Sequence, residues 1–343
     1  MTEVPVIRAA SSTDFDATGS FALKVTNLVQ EFQVRRRGKV PKATISAVAG
    51  VSLEIPTGQT YAVVGETGSG KSTLARAIIG APPPKAGQVL IAGEELSGAG
   101  RRMARRRGEL VQMIFQDPTA ALDPKWSVSH IVGEPLRIRH QLDRRGRSQR
   151  VSEMLELVGL SPSRFGERRA SELSGGQAQR VAIARALSSS PQLVICDEPV
   201  TALDVSIQAQ ILNLLFELKR DLSLTYLLIA HDLAVVRVLA DRVGTMYLGT
   251  LCESGPTATI FNSPAHPYTA ALLSAIPQRP GSNGRARIRL LGEPPSPISP
   301  PSGCRFRTRC AFAQDVCAES TPVLEQVGEN HMVACHFPLT RAS

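Results

Sequence analysis

The stretch Gly65-Glu66-Thr67-Gly68-Ser69-Gly70-Lys71-Ser72-Thr73 constrains this chain more than any other. Two glycines five apart, then Lys and Ser/Thr, form the pattern of a loop that cradles phosphates. The apolar run Thr60-Tyr61-Ala62-Val63-Val64 before it reads as a buried strand, and Leu74 to Ile79 after it reads as a helix ended by Gly80. Gly68 and Gly70 lack a Cβ, so the backbone can close around an anion. Their N–H groups and the helix N-terminus would face it. Lys71 would reach the β- and γ-phosphates, and the Ser72 hydroxyl would hold Mg²⁺. The alternative is a glycine-rich turn that only resembles the pattern. A strand before it and a helix after it favour the phosphate loop.

The 343 residues allow two domains, or one large domain with an extension. A hydrophobic fraction of 43% is ordinary for a globular chain. No run of about 18 apolar residues occurs, so no membrane span is expected. Residues 1–20 have no apolar signal core and read as a disordered tail on a cytoplasmic protein. The net charge is +9, with basic runs at Arg35–Arg37, Arg101–Arg107 and Arg144–Arg150. These runs read first as solvated surface and second as a face for anionic lipid. Nucleic acid is a third reading and is not expected, because aromatics are 4% and do not interleave with the charges.

Strand patterns fall at 21–32, near 47–55, at 60–64, 88–93 and 110–116, then at 192–198, 224–229 and 243–247. Helical spacing covers 128–170, 178–188, 205–220 and 232–239. Val243–Tyr247 is the last apolar strand before Gly249. This alternation predicts an α/β fold with a largely parallel sheet covered on both faces. Residues 277–303 are rich in Pro, Gly, Ser and Arg and read as linker.

Leu173-Ser174-Gly175-Gly176-Gln177 and Leu193-Val194-Ile195-Cys196-Asp197-Glu198-Pro199 follow the phosphate loop in order. With all three motifs, residues 21–255 resemble the nucleotide-binding subunits of ATP-binding cassette (ABC) transporters. Met113 to Pro118, Cys196 to Pro199, His266 to Leu273 and the basic insertion before Ala47 carry a closer resemblance. It is to the ATPases of bacterial oligopeptide and dipeptide importers, and more to the second of their two paired ATPases. The resemblance implies a P-loop ABC ATPase fold: a RecA-like core, an antiparallel β subdomain, a helical subdomain at about 120–180, and a 256–343 extension with four cysteines.

Asp197 ends a strand beside the loop, where its carboxylate can bind Mg²⁺. Glu198, one residue on, points differently and is the expected general base. Two acids after a strand could otherwise cap a helix. The resemblance makes Gln116 a sensor of the γ-phosphate and metal that links to membrane subunits. It makes His231 a switch contacting the γ-phosphate, although alone His231 would read as a structural histidine. It places Asp204 in a loop crossing to a partner subunit. Phe32 would stack on adenine or, equally, sit in the core. Ser174, Gly175, Gly176 and Gln177 open a helix, a ready anion site. In the family this segment binds the nucleotide of the opposite subunit. A single phosphate loop therefore needs a second chain, a non-identical paired ATPase before a homodimer.

Cys304, Cys310, Cys317 and Cys335 cluster after the linker. Disulfides are not expected in a cytosolic chain, and the spacing is not that of an ordinary zinc finger. Three readings stand: a [4Fe–4S] cluster, which similar C-terminal segments in the family can carry, a zinc site with His331 or His336 as further ligands, or free thiols. Little apolar sequence surrounds them, so such a cluster is expected to staple the segment, with a structural role and no part in hydrolysis. Cys196 and Cys252 read as buried small apolar residues.

The function implied is ATP binding and hydrolysis, with Mg²⁺, that energises import of short peptides. The partners would be two transmembrane permease subunits, the paired ATPase and an extracytoplasmic binding protein, with this chain on the cytoplasmic face of the membrane. The alternatives are a nickel or other solute importer, which differs only in cargo, and a soluble non-transport ABC protein. Members of that last class usually carry two cassettes or long coiled-coil insertions, and neither occurs here.

Overall fold

The computed structural model describes residues 21–34, 43–139, 142–276, 286–290 and 292–339. The expected tail at 1–20, the basic loop 35–42 and residues 277–285 of the expected linker lie outside the described residues. In chain order the strands are β1 (Phe21–Val34), β2 (Ala43–Pro56), β3 (Thr60–Val64), β4 (Ala86–Ile91), β5 (Glu94–Glu95), β6 (Val111–Ile114), β7 (Leu193–Asp197), β8 (Tyr226–Ala230), β9 (Arg242–Tyr247), β10 (Thr250–Pro256), β11 (Glu325–Gly328) and β12 (His331–Val333).

Strands β3, β7 and β8 are continuous apolar runs with every residue buried. Such runs suit parallel strands covered on both faces. They pair in parallel with β9 and β6 in the order β9-β3-β8-β7-β6. A second sheet, ordered β2-β1-β4-β5, is antiparallel. Its Leu23, Val25 and Leu28 share one core cluster with Leu74 and Ile78 of the Lys71–Ile78 helix and with Ile195, Leu227 and Ile229 of the main sheet. The opposite face of the main sheet is covered by helices. Met154, Leu155, Val181, Ile183 and Ile211 pack there against Val64, Val194 and Cys196. The architecture is therefore a mixed α/β cassette with an antiparallel β subdomain and a set of helices between 118 and 188. No helix among the described residues is long and apolar enough to cross a membrane.

β9 is the last strand before Gly249, as expected, and β10, β12 and β11 continue the main sheet beyond it in antiparallel fashion. One expectation needs correction. The arginine runs are not all solvated surface. Arg107 is buried and donates to the carbonyls of Leu96 (2.6 Å) and Gly98 (2.7 Å), and Arg106 pairs with Glu94 and Glu109. The cysteine segment adds Phe306 to a core cluster that Tyr247, Leu248, Cys252 and Tyr268 supply from outside it. Phe306 stacks edge-on against Tyr247 and lies 5.3 Å from Tyr268, ring centre to ring centre, with Cys252 in the same cluster. The extension is thus packed onto the end of β9 and the start of β10.

Candidate functional site

The phosphate loop leaves β3 and enters the Lys71–Ile78 helix at Gly70, which has φ 105°. A Cβ at Gly70 would collide with the Ala47 carbonyl, and one at Gly65 with the Met246 carbonyl. Gly68 (φ 81°) has open space where its Cβ would be, so the loop keeps a hollow on that side. These positions explain the glycine spacing: two close backbone approaches flank a turn that only glycine adopts without strain. Lys71 Nζ donates to the carbonyls of Gly65 (2.8 Å) and Glu66 (3.0 Å), curled under the loop. Its burial lowers its pKa, against the opposing pull of Glu198, Asp197 and Glu66.

A cleft of about 480 Å³ opens over the loop. Thr67, Gly68, Gly70, Lys71, Ser72 and Thr73 line one side, and Gln116, Glu198, Thr201 and His231 another. The structure thus brings Thr67 and His231, 164 positions apart, into one cleft. Asp197 ends β7 almost fully buried and accepts from the Ser72 hydroxyl at 2.8 Å. Burial raises its carboxyl pKa, which the Ser72 hydrogen bond and Arg76 partly offset. Two hard oxygen donors meeting beside a lysine fit a Mg²⁺ ion.

Glu198 has φ 48°, and its N–H donates to the Ile229 carbonyl at 3.0 Å. This left-handed turn swings its side chain away from that of Asp197. Its Oε2 accepts from Gln116 Nε2 (2.9 Å) and from Thr201 (3.2 Å), and His231 Nδ1 lies 3.2 Å away. The two acids do not act as a helix cap: Asp197 lies in a strand and Glu198 in the turn that follows. The arrangement can hold a phosphate chain, a divalent cation and a carboxylate ready to accept a proton from water.

Other predicted residues lie apart from this cleft. Phe32 is 40% exposed, which overturns the core reading. It does not line the cleft, but its cross-strand neighbour Ile45 does. Ser174 caps the Gly175–Ser188 helix, in reciprocal hydrogen bonds with Gln177. None of Ser174, Gly175, Gly176, Gln177 and Asp204 lines the cleft. A Cβ on Gly175 would touch Leu203, so this helix start packs beside the segment leading to Asp204.

The four C-terminal cysteines, with His336, line one small cavity. Burial pushes the thiols of Cys304 and Cys310 up, and that of Cys335 to about 11. Among the described residues, no group of three or more His, Cys, Asp or Glu side chains is arranged to hold a single metal ion. His331 is not a spare zinc ligand, because its Nε2 is bound to the fully buried Glu253 at 2.7 Å. Cys196 and Cys252 are buried, as expected.

Two neighbours of the loop were missed from the sequence. Tyr268 Oη accepts from the Glu66 N–H at 2.8 Å. Arg309 grips the Glu66 carboxylate with both terminal nitrogens, at 2.7 and 3.1 Å. Tyr268 lies in the His266–Leu273 stretch that carries the family resemblance, but nothing local in the sequence marks Arg309. The extension therefore reaches the loop.

A family profile described as ABC transporter matches residues 48–201, and one described as oligopeptide/dipeptide transporter, C-terminal region, matches 252–317. The oligopeptide transport ATP-binding protein AppF of Bacillus subtilis is 47% identical over 296 residues, covering 85% of this chain and 90% of AppF. OppF of Salmonella typhimurium, likewise an oligopeptide transport ATP-binding protein, is 48% identical, with 91% and 95% covered. The di/tripeptide transport ATP-binding protein DppF of Pseudomonas aeruginosa is 43% identical, with 92% and 97% covered. Among solved structures, the dimeric post-hydrolysis ATP-binding cassette MJ0796 with ADP and Pi matches at a TM-score of 0.60 and 28% identity. That match covers 68% of this chain and 98% of MJ0796.

Proposed function

The chain belongs to the ATP-binding subunits of oligopeptide and dipeptide ABC transporters, and from that premise we propose how its residues work and with what it assembles. It is an ATPase subunit that couples hydrolysis to the import of short peptides. The observation that carries the residue assignment is the convergence of Lys71, Ser72, Asp197, Glu198, Gln116 and His231 on one cleft. Gly65 to Thr73 bind the triphosphate, with Lys71 turning from its resting carbonyl partners toward the β- and γ-phosphates. Ser72 and Asp197 would hold Mg²⁺, with Gln116 nearby, and that ion would supply charge neutralisation for the phosphates. Glu198 takes the proton of the attacking water, and Gln116 and His231 orient it and sense the γ-phosphate. Phe32 stands at the edge where the base would lie.

Ser174 to Gln177 and Asp204 serve the nucleotide of a second ATPase, a paired homologue before an identical copy. The solved cassette MJ0796 is described as dimeric, which supports pairing. Two permeases would dock on the groove beside Gln116, where Phe115 is exposed among Leu122, Ala182 and Arg185. With an extracytoplasmic binding protein, this places the chain at the cytoplasmic membrane face. Residues 21–255 form the cassette and 256–343 the extension. Purification of the complex with its permeases, reconstitution in vesicles and assay of ATP-driven uptake tests the reading. Uptake of labelled di- to pentapeptides is expected, whereas uptake of nickel without peptide would reassign the cargo.

The cysteine cavity is assigned to a [4Fe–4S] cluster. What supports this is that Cys304, Cys310, Cys317 and Cys335 all line that one cavity, and four thiolates are the ligand set such a cluster takes. Anaerobic purification with iron, sulfide and zinc analysis decides this. Stoichiometric zinc without iron leaves a zinc site, and neither metal leaves free thiols.

A further inference from the structure

Glu66 is an awkward residue for an anion site. It places a carboxylate in the loop that must hold a phosphate chain, where like charges repel. Both ends of this residue are held from beyond position 255. Tyr268, in the Pro267–Ser274 helix, accepts the Glu66 N–H at 2.8 Å, and Arg309 binds its carboxylate bidentately at 2.7 and 3.1 Å. The holders are themselves fixed. Arg309 is 8% exposed, lies over the Tyr247 ring at 5.9 Å and has the Tyr247 hydroxyl at 3.5 Å. Tyr268 is fully buried against Tyr247 and Phe306. The same Glu66 offers its carbonyl to Lys71 Nζ at 3.0 Å. The position of Glu66 therefore sets where the loop lysine rests.

We propose that Tyr268 and Arg309 are positioning residues for the phosphate loop, acting through Glu66, so that the C-terminal extension is a working part of the ATP site. Arg309 neutralises the carboxylate and turns it away from the phosphates. Tyr268 fixes the adjoining peptide. The loop then meets the nucleotide already ordered, and ordering it does not draw on binding free energy. Neither residue needs to touch the nucleotide to have this effect.

The proposal rests on the reading of Gly65–Thr73 as the ATP site, which binding of a fluorescent ATP analogue with Mg²⁺ to the wild-type full chain, and its loss in Lys71→Ala, test separately. Dissociation constants are then measured for Arg309→Gln, Glu66→Gln, the double variant and Tyr268→Phe, with the thermal midpoint of each. Arg309→Gln is expected to weaken binding by roughly ten-fold, as loss of a charge-assisted bidentate contact would. In the Glu66→Gln background the same change is expected to weaken it by less than two-fold, because the partner through which it acts is altered. Tyr268→Phe removes one oxygen from a buried ring and is expected to weaken binding about three- to ten-fold. Unchanged affinity in both Arg309→Gln and Tyr268→Phe, with wild-type binding intact, overturns the positioning role and leaves the ATP site standing. An equal effect of Arg309→Gln with and without Glu66 also overturns it, since Arg309 would then act on the phosphates by its charge alone. Should Arg309→Gln fail to fold, Tyr268→Phe decides the question by the same measurement.

Discussion

Glu198 holds a φ of 48°, a region that costs a residue with a Cβ about 1–3 kcal/mol. The fold tolerates this because the turn separates two carboxylates that would otherwise share one environment. Asp197 stays with Ser72, while Glu198 meets Gln116, Thr201 and His231. Glu198→Gln keeps the shape and removes the base. Turnover by the assembled complex should drop by about 10² to 10⁴ while ATP affinity is retained. Steady-state hydrolysis alongside a binding titration checks it, and wild-type turnover would take Glu198 out of the base role. Lys71→Ala should act differently, lowering ATP affinity and hydrolysis together, because its charge faces the phosphates in both the ground state and the transition state. Unchanged affinity in that variant would move the nucleotide elsewhere.

Among elements, the short helix Pro267–Ser274 carries the clearest dependence on pH. His266 caps it, its Nδ1 accepting the Tyr268 N–H at 3.0 Å, and burial pushes its pKa down to about 3. The unfolded chain takes up this proton near the ordinary value of 6.5. Between those limits the unfolded state binds more protons, so this contribution is fully present above about pH 6.5 and is lost as pH falls toward 3. The slope is at most about 1.4 kcal/mol per pH unit. The thermal midpoint should fall from pH 7 to pH 5, and His266→Asn, which keeps an acceptor at the cap, should flatten that fall. Identical slopes in the two proteins would place the acid sensitivity elsewhere. The elements that carry the cleft were legible in the sequence because each announces itself locally. β3, β7 and β8 are unbroken apolar runs, and the loop and Ser174–Gln177 have fixed spacings. The missed strands have no such signal. β12 is three residues long, the polar β11 is mostly exposed, and their pairing brings Val333 back to Glu253. Arg309 and Glu66 meet across 243 positions, so only the folded chain reveals the contact.

At the scale of the whole molecule, the helix start at Ser174 to Gln177 is not part of the lining of the loop cleft. Ser174 to Gln177 open the Gly175–Ser188 helix with their N–H groups outside the cleft lined by Lys71 and Glu198. If that helix end meets the nucleotide of a second subunit, its chemistry acts in trans, and a change there should spare this chain's own ATP binding. Ser174→Asp separates the two possibilities. Aspartate caps a helix as well as serine, so the fold should keep its thermal midpoint. The substitution adds a negative charge where a partner's γ-phosphate would sit, and like charges at close range disfavour each other. The isolated variant should bind ATP with wild-type affinity, while hydrolysis by the assembled pair should fall at least about ten-fold, the cost of about 1.4 kcal/mol of repulsion. Full hydrolysis in the complex would mean that no nucleotide approaches this helix end. Weakened ATP binding in the isolated chain would mean that it serves its own cleft, and the two half-sites would collapse into one.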